Sequence, residues 1–118
     1  MMNAGITINN VIYEVNEIAP IHYVYLGSSV DGRINEVHEQ IAVNECARFF
    51  QEFTVTRATG MLRGESEETL ILHIATKHTE KVTEFSATLC NRFGQDGVGM
   101  ILPTAQGGIY CRVVVQSE

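Results

Sequence analysis

The sequence has little of what several functional classes require. It contains no tryptophan, 2 prolines and 3 cysteines, and its 14 acidic residues outnumber 8 basic ones, for a formal net charge of -6. This shortage of lysine and arginine argues against binding nucleic acid by phosphate neutralisation. No apolar run approaches the ~20 residues of a membrane-spanning helix, and the N-terminus lacks the basic and apolar segments of a secretory signal. We therefore expect a cytoplasmic protein with neither a nucleic-acid nor a membrane partner.

Disulfide and metal motifs are also missing. Cys46, Cys90 and Cys111 are odd in number, far apart in sequence and without a CxxC spacing, so we expect reduced thiols that serve as small core residues. His73 and His78 have no cysteine or carboxylate at a metal-ligand spacing. Neither GxGxxG nor GxxxxGK[ST] occurs. The sequence therefore predicts no metal site and no cofactor.

The pattern of apolar residues predicts two helices and several short strands. A chain of 118 residues has the size of one domain, and we assign residues 1–118 to it. Helices are predicted over 35–50, with Asn35 as the N-cap, and over 79–93, with Thr79 as the N-cap. In the second helix, the spacing of the apolar residues predicts one apolar face: Val82, Phe85, Leu89, Cys90 and Phe93. A hairpin is predicted around Asn9 and Asn10, which tolerate the positive φ of a tight turn. The other predictions are strands over 21–26, 53–59, 69–76, 97–102 and 109–115, and loops over 60–68 and 103–108.

The order of these elements predicts the fold class. Two βαβ halves give a ferredoxin-like βαββαβ sandwich, of class α+β, with an extra N-terminal hairpin and an extra C-terminal strand. The helices cover one face of the antiparallel sheet. The strand over 69–76 carries apolar residues on both of its faces, so the other face also needs a cover. Trimers of this fold often turn their sheets inward, and by this analogy we expect a homotrimer.

An acidic stretch in the loop over 60–68 offers candidate site residues. Glu65, Glu67 and Glu68 precede an apolar strand, where a carboxylate can hold a cationic or hydroxyl-rich ligand. Glu68 is next to the strand and is therefore expected to be the best fixed of the three. A solvated cluster of charges in a loop explains the same pattern without any function.

Glycines and tyrosines add further candidates. Gly60 and Gly64 flank residues 61–63 and can bring backbone N–H groups close to a ligand, although a simple β-turn has the same spacing. Tyr23 and Tyr25 share one face of a predicted strand, and Tyr110 lies on another. These rings can stack on an adenine or attract a sulfonium through a cation–π contact. Packing at a core edge or subunit interface is the alternative.

Residues 56–113 resemble the phage-encoded S-adenosylmethionine lyases, a family formerly described as hydrolases. The segments that carry the resemblance are the turn GMLR, the pair Glu67-Glu68 entering the strand TLILHIAT, the helix end CNRFGQDGV and the segment GGIY. The resemblance covers about half of the chain, and uncharacterised ferredoxin-like bacterial proteins share a similar glycine turn and helix end.

The resemblance implies a small trimer in the host cytoplasm, with the ligand between subunits and no cofactor. Such lyases cleave S-adenosylmethionine to methylthioadenosine and homoserine lactone, because the substrate's own carboxylate attacks its γ-carbon. The family's important glutamate corresponds to Glu68, which we expect to be catalytic. The expected substrate contacts are Glu65, Glu67, Gly60, Met61, Leu62, Tyr23, Tyr25 and Tyr110.

One departure from the family keeps other functions open. Leu62 stands where the family has an aromatic residue. A non-catalytic trimer that binds a nucleotide-like small molecule is therefore an alternative. A role in contacting another protein through the asparagine-rich N-terminal hairpin is a third possibility.

Overall fold

A computed structural model describes residues 4–15, 19–28 and 32–114, with side chains described throughout except at residues 4–8, 12–15 and 62. Within these ranges the chain forms seven strands and two helices. In chain order they are β1 (Ala4–Ile8), β2 (Val11–Val15), β3 (Ile21–Gly27), α1 (Glu36–Phe49), β4 (Thr54–Leu62), β5 (Glu65–Ala75), α2 (Thr79–Arg92), β6 (Val98–Thr104) and β7 (Gly107–Val113).

Five strands form one antiparallel sheet in the order β4-β5-β3-β6-β7. The units β3-α1-β4 and β5-α2-β6 interleave, so that β3 and β5 pair although a helix and a strand separate them in sequence. This order is that of a ferredoxin-like α+β fold, which confirms the predicted class, and β7 adds a strand at the edge. In the part of the chain that the structure describes, β1 and β2 pair only with each other.

The two helices begin in different ways. Asn35 caps α1 as predicted, since its side-chain oxygen accepts a hydrogen bond of 2.8 Å from the backbone N–H of His38. The prediction that Thr79 caps α2 is wrong. His78 is the N-cap and makes no side-chain cap bond, and Thr79 is the first helical residue. The Thr79 hydroxyl instead lies 2.8 Å from Nε2 of the buried His22 and ties the start of α2 to β3.

The core lies between the sheet and the helices. Helix α2 buries Val82, Phe85, Leu89 and Cys90 of the predicted stripe, because these spacings keep the side chains on one helical face. Phe93, the last residue of the stripe, is the C-cap and is half-buried. The rest of the buried apolar cluster comes from the facing side of the sheet, from α1 and from the adjoining loops: Val24, Leu26, Ile34, Ala42, Cys46, Phe50, Leu70, Leu72, Ile74, Val98 and Met100.

The cysteines belong to this packing. Cys46 and Cys90 are buried, Cys111 is half-buried, and all three are free thiols. Burial raises the pKa of the Cys46 thiol to about 12, which keeps it protonated and unreactive at neutral pH. The prediction that these thiols are small core residues is confirmed for Cys46 and Cys90.

Two predicted loops are wrong. Residues 60–68 are not a loop, because β4 and β5 continue as a long hairpin in which Gly60 pairs with Glu67 and Leu62 with Glu65. Only Arg63 and Gly64 form the turn. Residues 103–108 also belong mostly to strands, with the turn confined to residues 105–106. Backbone pairing between neighbouring strands outweighs the low β-propensity of glycine, proline and glutamate in both places.

The N-terminal hairpin forms where it was predicted. Ile8 pairs with Val11 around Asn9 and Asn10, whose φ angles of 50° and 64° are those of a tight hairpin turn. Among the described residues, no helix is long and apolar enough to cross a membrane.

Candidate functional site

The site lies on the sheet face that points away from the helices, called here the open face. Side chains alternate along a strand, so the buried Val24 and Leu26 of β3 point to the helices while Tyr23 and Tyr25 point to the open face. The strand registers bring further residues to the same face. They are Thr69, Ile71 and His73 from β5, Gly60 from β4, Gly99 and Ile101 from β6, and Tyr110 and Arg112 from β7.

A groove of about 620 Å³ runs across this face where β3 ends. This volume lies in the range of small-molecule sites, about 300–1,000 Å³. Its lining combines aromatic rings, both signs of charge and several glycines. The lining residues are Tyr25, Gly27, Ser28, Gly60, Met61, Arg63, Glu67, Thr69, Gln95, Asp96, Gly97, Gly99, Tyr110 and Arg112.

Glycines form the floor of the groove because neighbouring side chains lie across them. A Cβ on Gly99 would lie 2.9 Å from Cε2 of Tyr110, and one on Gly97 would lie 2.7 Å from Cζ of Arg112. Neither glycine has a positive φ. They are therefore needed for space, since a side chain at either position would push the Tyr110 or Arg112 side chain off the sheet.

The three predicted carboxylates have different positions. Glu65 is exposed beside the hairpin turn. Glu67 lines the groove, with its Oε1 atom 3.4 Å from the position of a Cβ on Gly27. Glu68 points to the helix side, where its Oε1 accepts a hydrogen bond of 3.1 Å from the backbone N–H of Ile34. Of the three, Glu67 is the carboxylate that faces the groove.

Glu68 also helps to shape a second depression. Its backbone N–H donates to the carbonyl of Gly32 at 2.7 Å, so both its backbone and its side chain hold the segment before α1. The depression has a volume of about 480 Å³ and is lined by Gly32, Arg33, Thr59, Ser66, Glu67 and Glu68. Glu67 borders both spaces. That Glu68 is the catalytic residue stays a prediction.

The tyrosines fall into two groups. The rings of Tyr25 and Tyr110 lie 6.4 Å apart, and both line the groove. Tyr23 instead packs edge-on against His73, with ring centroids 5.1 Å apart, and does not line the groove. Burial raises the pKa of the Tyr25 hydroxyl, and proximity to Tyr23 and Tyr110 raises it further. Tyr25 therefore stays a neutral hydrogen-bond donor at physiological pH.

The glycine turn contributes in part. Gly60 and Met61 line the groove, and Met61 is exposed. The side chain of Leu62 lies outside the described part of the structure, so its predicted substrate contact stays a prediction. Across the described ranges, no three histidine, cysteine, aspartate or glutamate side chains are grouped closely enough to hold a metal ion.

Several groove residues were missed by sequence reasoning. Gln95, Asp96 and Gly97 follow α2, and Arg112 lies on β7. The helix end CNRFGQDGV carried the family resemblance, yet nothing in its spacing indicated that it borders a groove. Arg112 reaches the groove only because β7 pairs with β6 in the register that sets it opposite Gly99.

Solved structures are similar to this chain in fold. One is a phage SAM lyase in its apo state, with a TM-score of 0.61 and 16% identity over 90% of this chain and 98% of the other. Another is a phage SAM lyase in complex with S-methyl-5'-thioadenosine, with a TM-score of 0.56 and 17% identity over 80% of this chain and 88% of the other. No family model and no curated protein matches the chain. At this identity the likeness establishes a fold like that of the SAM lyases.

Proposed function

We propose that this protein is an S-adenosylmethionine lyase that releases methylthioadenosine and homoserine lactone. The observation that carries the proposal is the groove on the open face, which combines the Glu67 carboxylate with the rings of Tyr25 and Tyr110. The substrate offers matching groups, namely a sulfonium and an ammonium for the carboxylate and the rings, and an adenine for stacking. The fold shared with phage SAM lyases supports the same assignment.

In the proposed reaction no protein side chain forms or breaks a covalent bond. A carboxylate oxygen of the substrate attacks its own γ-carbon, the carbon–sulfur bond breaks, and the bonding electrons go to sulfur. The sulfonium and carboxylate charges cancel, so the products are a neutral thioether and a lactone that keeps its ammonium group. No water and no protein nucleophile takes part. The protein has to hold the substrate folded for this attack and remove water from the carboxylate.

Glu67 and Glu68 are competing candidates for the carboxylate that grips the substrate. The family resemblance assigns the role to Glu68. The geometry favours Glu67, because the Glu68 carboxylate already accepts the Ile34 N–H while Glu67 borders the groove. We propose that Glu67 binds the substrate ammonium or sulfonium, and that Glu68 acts by holding the segment before α1.

The proposed active form is a homotrimer with the ligand between subunits. On a single chain the open face leaves the groove exposed to water, which would keep the substrate carboxylate hydrated. A second copy lying against this face would exclude water and so favour the charge-cancelling attack. The half-buried Tyr23, Ile71, His73 and Ile101 would supply apolar surface to such a contact.

The test is to incubate the purified protein with S-adenosylmethionine and separate the products by liquid chromatography–mass spectrometry. We expect methylthioadenosine and homoserine lactone in equal amounts. Glu67→Gln should lower kcat/KM by about 100-fold, because the lost charge misplaces the reacting groups. Glu68→Gln should stay within about threefold of the wild type, because the glutamine oxygen still accepts the Ile34 N–H.

Glu84→Gln is the matched control, since Glu84 is exposed on α2, which packs on the other face of the sheet. It should keep full activity. A loss of activity in Glu68→Gln alone, with the fold retained, would give the role to Glu68. An unchanged substrate would refute the lyase assignment, and methylthioadenosine retained by that inactive protein would support the alternative of a non-catalytic binding protein.

A further inference from the structure

We propose that Arg112 is a specificity-determining residue that binds the carboxylate of the ligand's amino-acid part. This inference rests on the proposed function. It names the residue that binds the substrate carboxylate, which is the nucleophile of the proposed reaction. It assigns the groove to zwitterionic ligands, in which a carboxylate and an ammonium lie a few bonds apart.

The first support is the position of Arg112. Strand β7 sets it opposite Gly99, and its guanidinium lies across Gly97. Because Gly97 has no side chain, the guanidinium lies close to the sheet and borders the groove, while the Arg112 side chain as a whole stays exposed. Gly97 does not have a positive φ, so its backbone conformation is open to any residue. Glycine is required at this position because a Cβ would collide with the Arg112 side chain.

The second support is that the guanidinium keeps its donors available. Among the described residues, Arg112 makes no ion pair, although Asp96 also lines the groove. A guanidinium has five N–H donors in a planar fork, which matches a carboxylate. By contrast, Arg57 is occupied by Glu39 at 3.0 Å, and Arg48 by Glu45 at 3.2 Å.

The third support is the opposite charge further along the groove. Oε1 of Glu67 lies 3.4 Å from the position that a Cβ on Gly27 would take. A carboxylate at this position suits an ammonium group. The groove thus has a carboxylate at Gly27 and cationic donors at Gly97, and this pattern complements an amino acid.

A contact with Arg112 is compatible with attack by the same carboxylate. If the guanidinium donates to one carboxylate oxygen, the other oxygen keeps its lone pairs and can reach the γ-carbon. Arg112 thereby fixes the direction of the nucleophile and need not neutralise it completely.

The experiment compares two stable ligands by isothermal titration calorimetry. S-adenosylhomocysteine carries the amino-acid part but no sulfonium, so it cannot undergo the reaction, and methylthioadenosine lacks the amino-acid part. Arg112→Gln should weaken S-adenosylhomocysteine roughly tenfold, which is the value of one charged hydrogen bond, and change methylthioadenosine by less than about twofold. Gly97→Ala should give the same selective loss with Arg112 still present.

Arg92→Gln is the charge-matched control, since Arg92 is exposed in the last turn of α2, and it should bind both ligands normally. Retained methylthioadenosine binding and an unchanged circular dichroism spectrum verify that each variant is folded. An equal effect of Arg112→Gln on both ligands, or no effect on either, would overturn the assignment. So would a selective loss in Arg63→Gln, the other arginine of the groove, with Arg112→Gln unaffected.

The role of Arg112 and the lyase activity can be tested separately. A wild type that cleaves S-adenosylmethionine, together with an Arg112→Gln variant that shows no selective loss, overturns the role of Arg112 alone. A wild type that binds neither ligand and forms no product overturns the proposed function and this inference with it.

Discussion

At the scale of single residues, adjacent side chains in a strand have separate roles because they point to opposite faces. Glu67 faces the groove while Glu68 faces the helices and accepts the Ile34 N–H. A run of glutamates in the sequence therefore divides into a candidate ligand contact and a residue that holds the segment before α1. This division explains why the charge pattern alone did not identify the groove-facing carboxylate.

A second residue with an unusual environment is His38. Its ring stacks on Phe93 with centroids 4.4 Å apart, and its Nε2 atom is buried with no hydrogen-bond partner in the described structure. Burial lowers the pKa of His38 below its ordinary value of 6.5, and the nearby positive charge of Arg57 lowers it further. Arg57 is itself paired with Glu39, so the protonated imidazole gains no free carboxylate there.

This environment predicts how stability changes with pH. The unfolded chain binds the His38 proton at a higher pH than the folded chain, so this contribution to stability is complete above about pH 6.5 and is lost as the pH falls towards the lowered pKa. His38→Phe keeps an aromatic ring stacked on Phe93 but removes the titratable imidazole. Urea unfolding at pH 7.5 and 5.5 should therefore show a smaller loss in the variant than in the wild type.

The control for this prediction is His78→Gln, because His78 is exposed at the start of α2. It should lose at least as much stability between the two pH values as the wild type does, since it keeps His38 and gives up only the contact of His78 with Glu80, 3.4 Å apart. An identical loss in His38→Phe and the wild type would contradict the assigned role of His38.

At the scale of elements, the β4–β5 hairpin differs most from its prediction, because the predicted loop over 60–68 is part of two paired strands. Its turn consists of Arg63 and Gly64, with φ angles of 53° and 80°. Two positive φ angles in a two-residue loop match the twist of the strands, as in a type I′ turn. Because this turn is tight, Glu65 to Glu68 continue in the ladder and bring the Glu67 carboxylate beside Gly27.

Two substitutions test this turn. Gly64→Ala should lower the free energy of unfolding by about 1–2 kcal/mol, since alanine is strained at a positive φ. Arg63→Asn should raise it by about 0.5 kcal/mol, since asparagine followed by glycine is the preferred pair for this turn. The measurement is urea unfolding followed by circular dichroism. Equal stability of the wild type and Gly64→Ala would contradict the turn geometry.

At the scale of the whole molecule, one face of the sheet is covered and the other is open. The helices bury Leu70, Leu72 and Ile74 of β5 completely, while Ile71 and His73 between them are only half-buried. A central strand with apolar residues on its open face is typical of a surface that meets another subunit. The proposed trimer would complete the burial of this strand and enclose the groove.

Light scattering coupled to size-exclusion chromatography tests the assembly. The wild type should have three times the mass of the 13.1 kDa chain. Ile71→Glu should have the mass of one chain, because it introduces an unpaired charge into the proposed contact. Val37→Glu is the control, since Val37 is 68% exposed on α1, and it should stay trimeric. A wild type with the mass of one chain would refute the trimer.

By itself the sequence determined the class of fold. The stripe of Val82, Phe85 and Leu89 predicted α2, Asn35 predicted the start of α1, and Asn9-Asn10 predicted the first hairpin. These features are local, because they depend on helical period, caps and turn residues within a few positions. Their order along the chain then allowed few ways to pair the strands, so the ferredoxin-like fold followed.

Only the tertiary structure decided which residues meet at the groove. Glu67 on β5, Gln95 after α2 and Arg112 on β7 come together because three different strand pairings have particular registers. Thr79 is in the helix and does not cap it for a similar reason, since its hydroxyl meets His22 from β3. Register depends on how side chains pack across the whole sheet, and a shift of one residue in β5 or β7 would turn Glu67 or Arg112 to the other face.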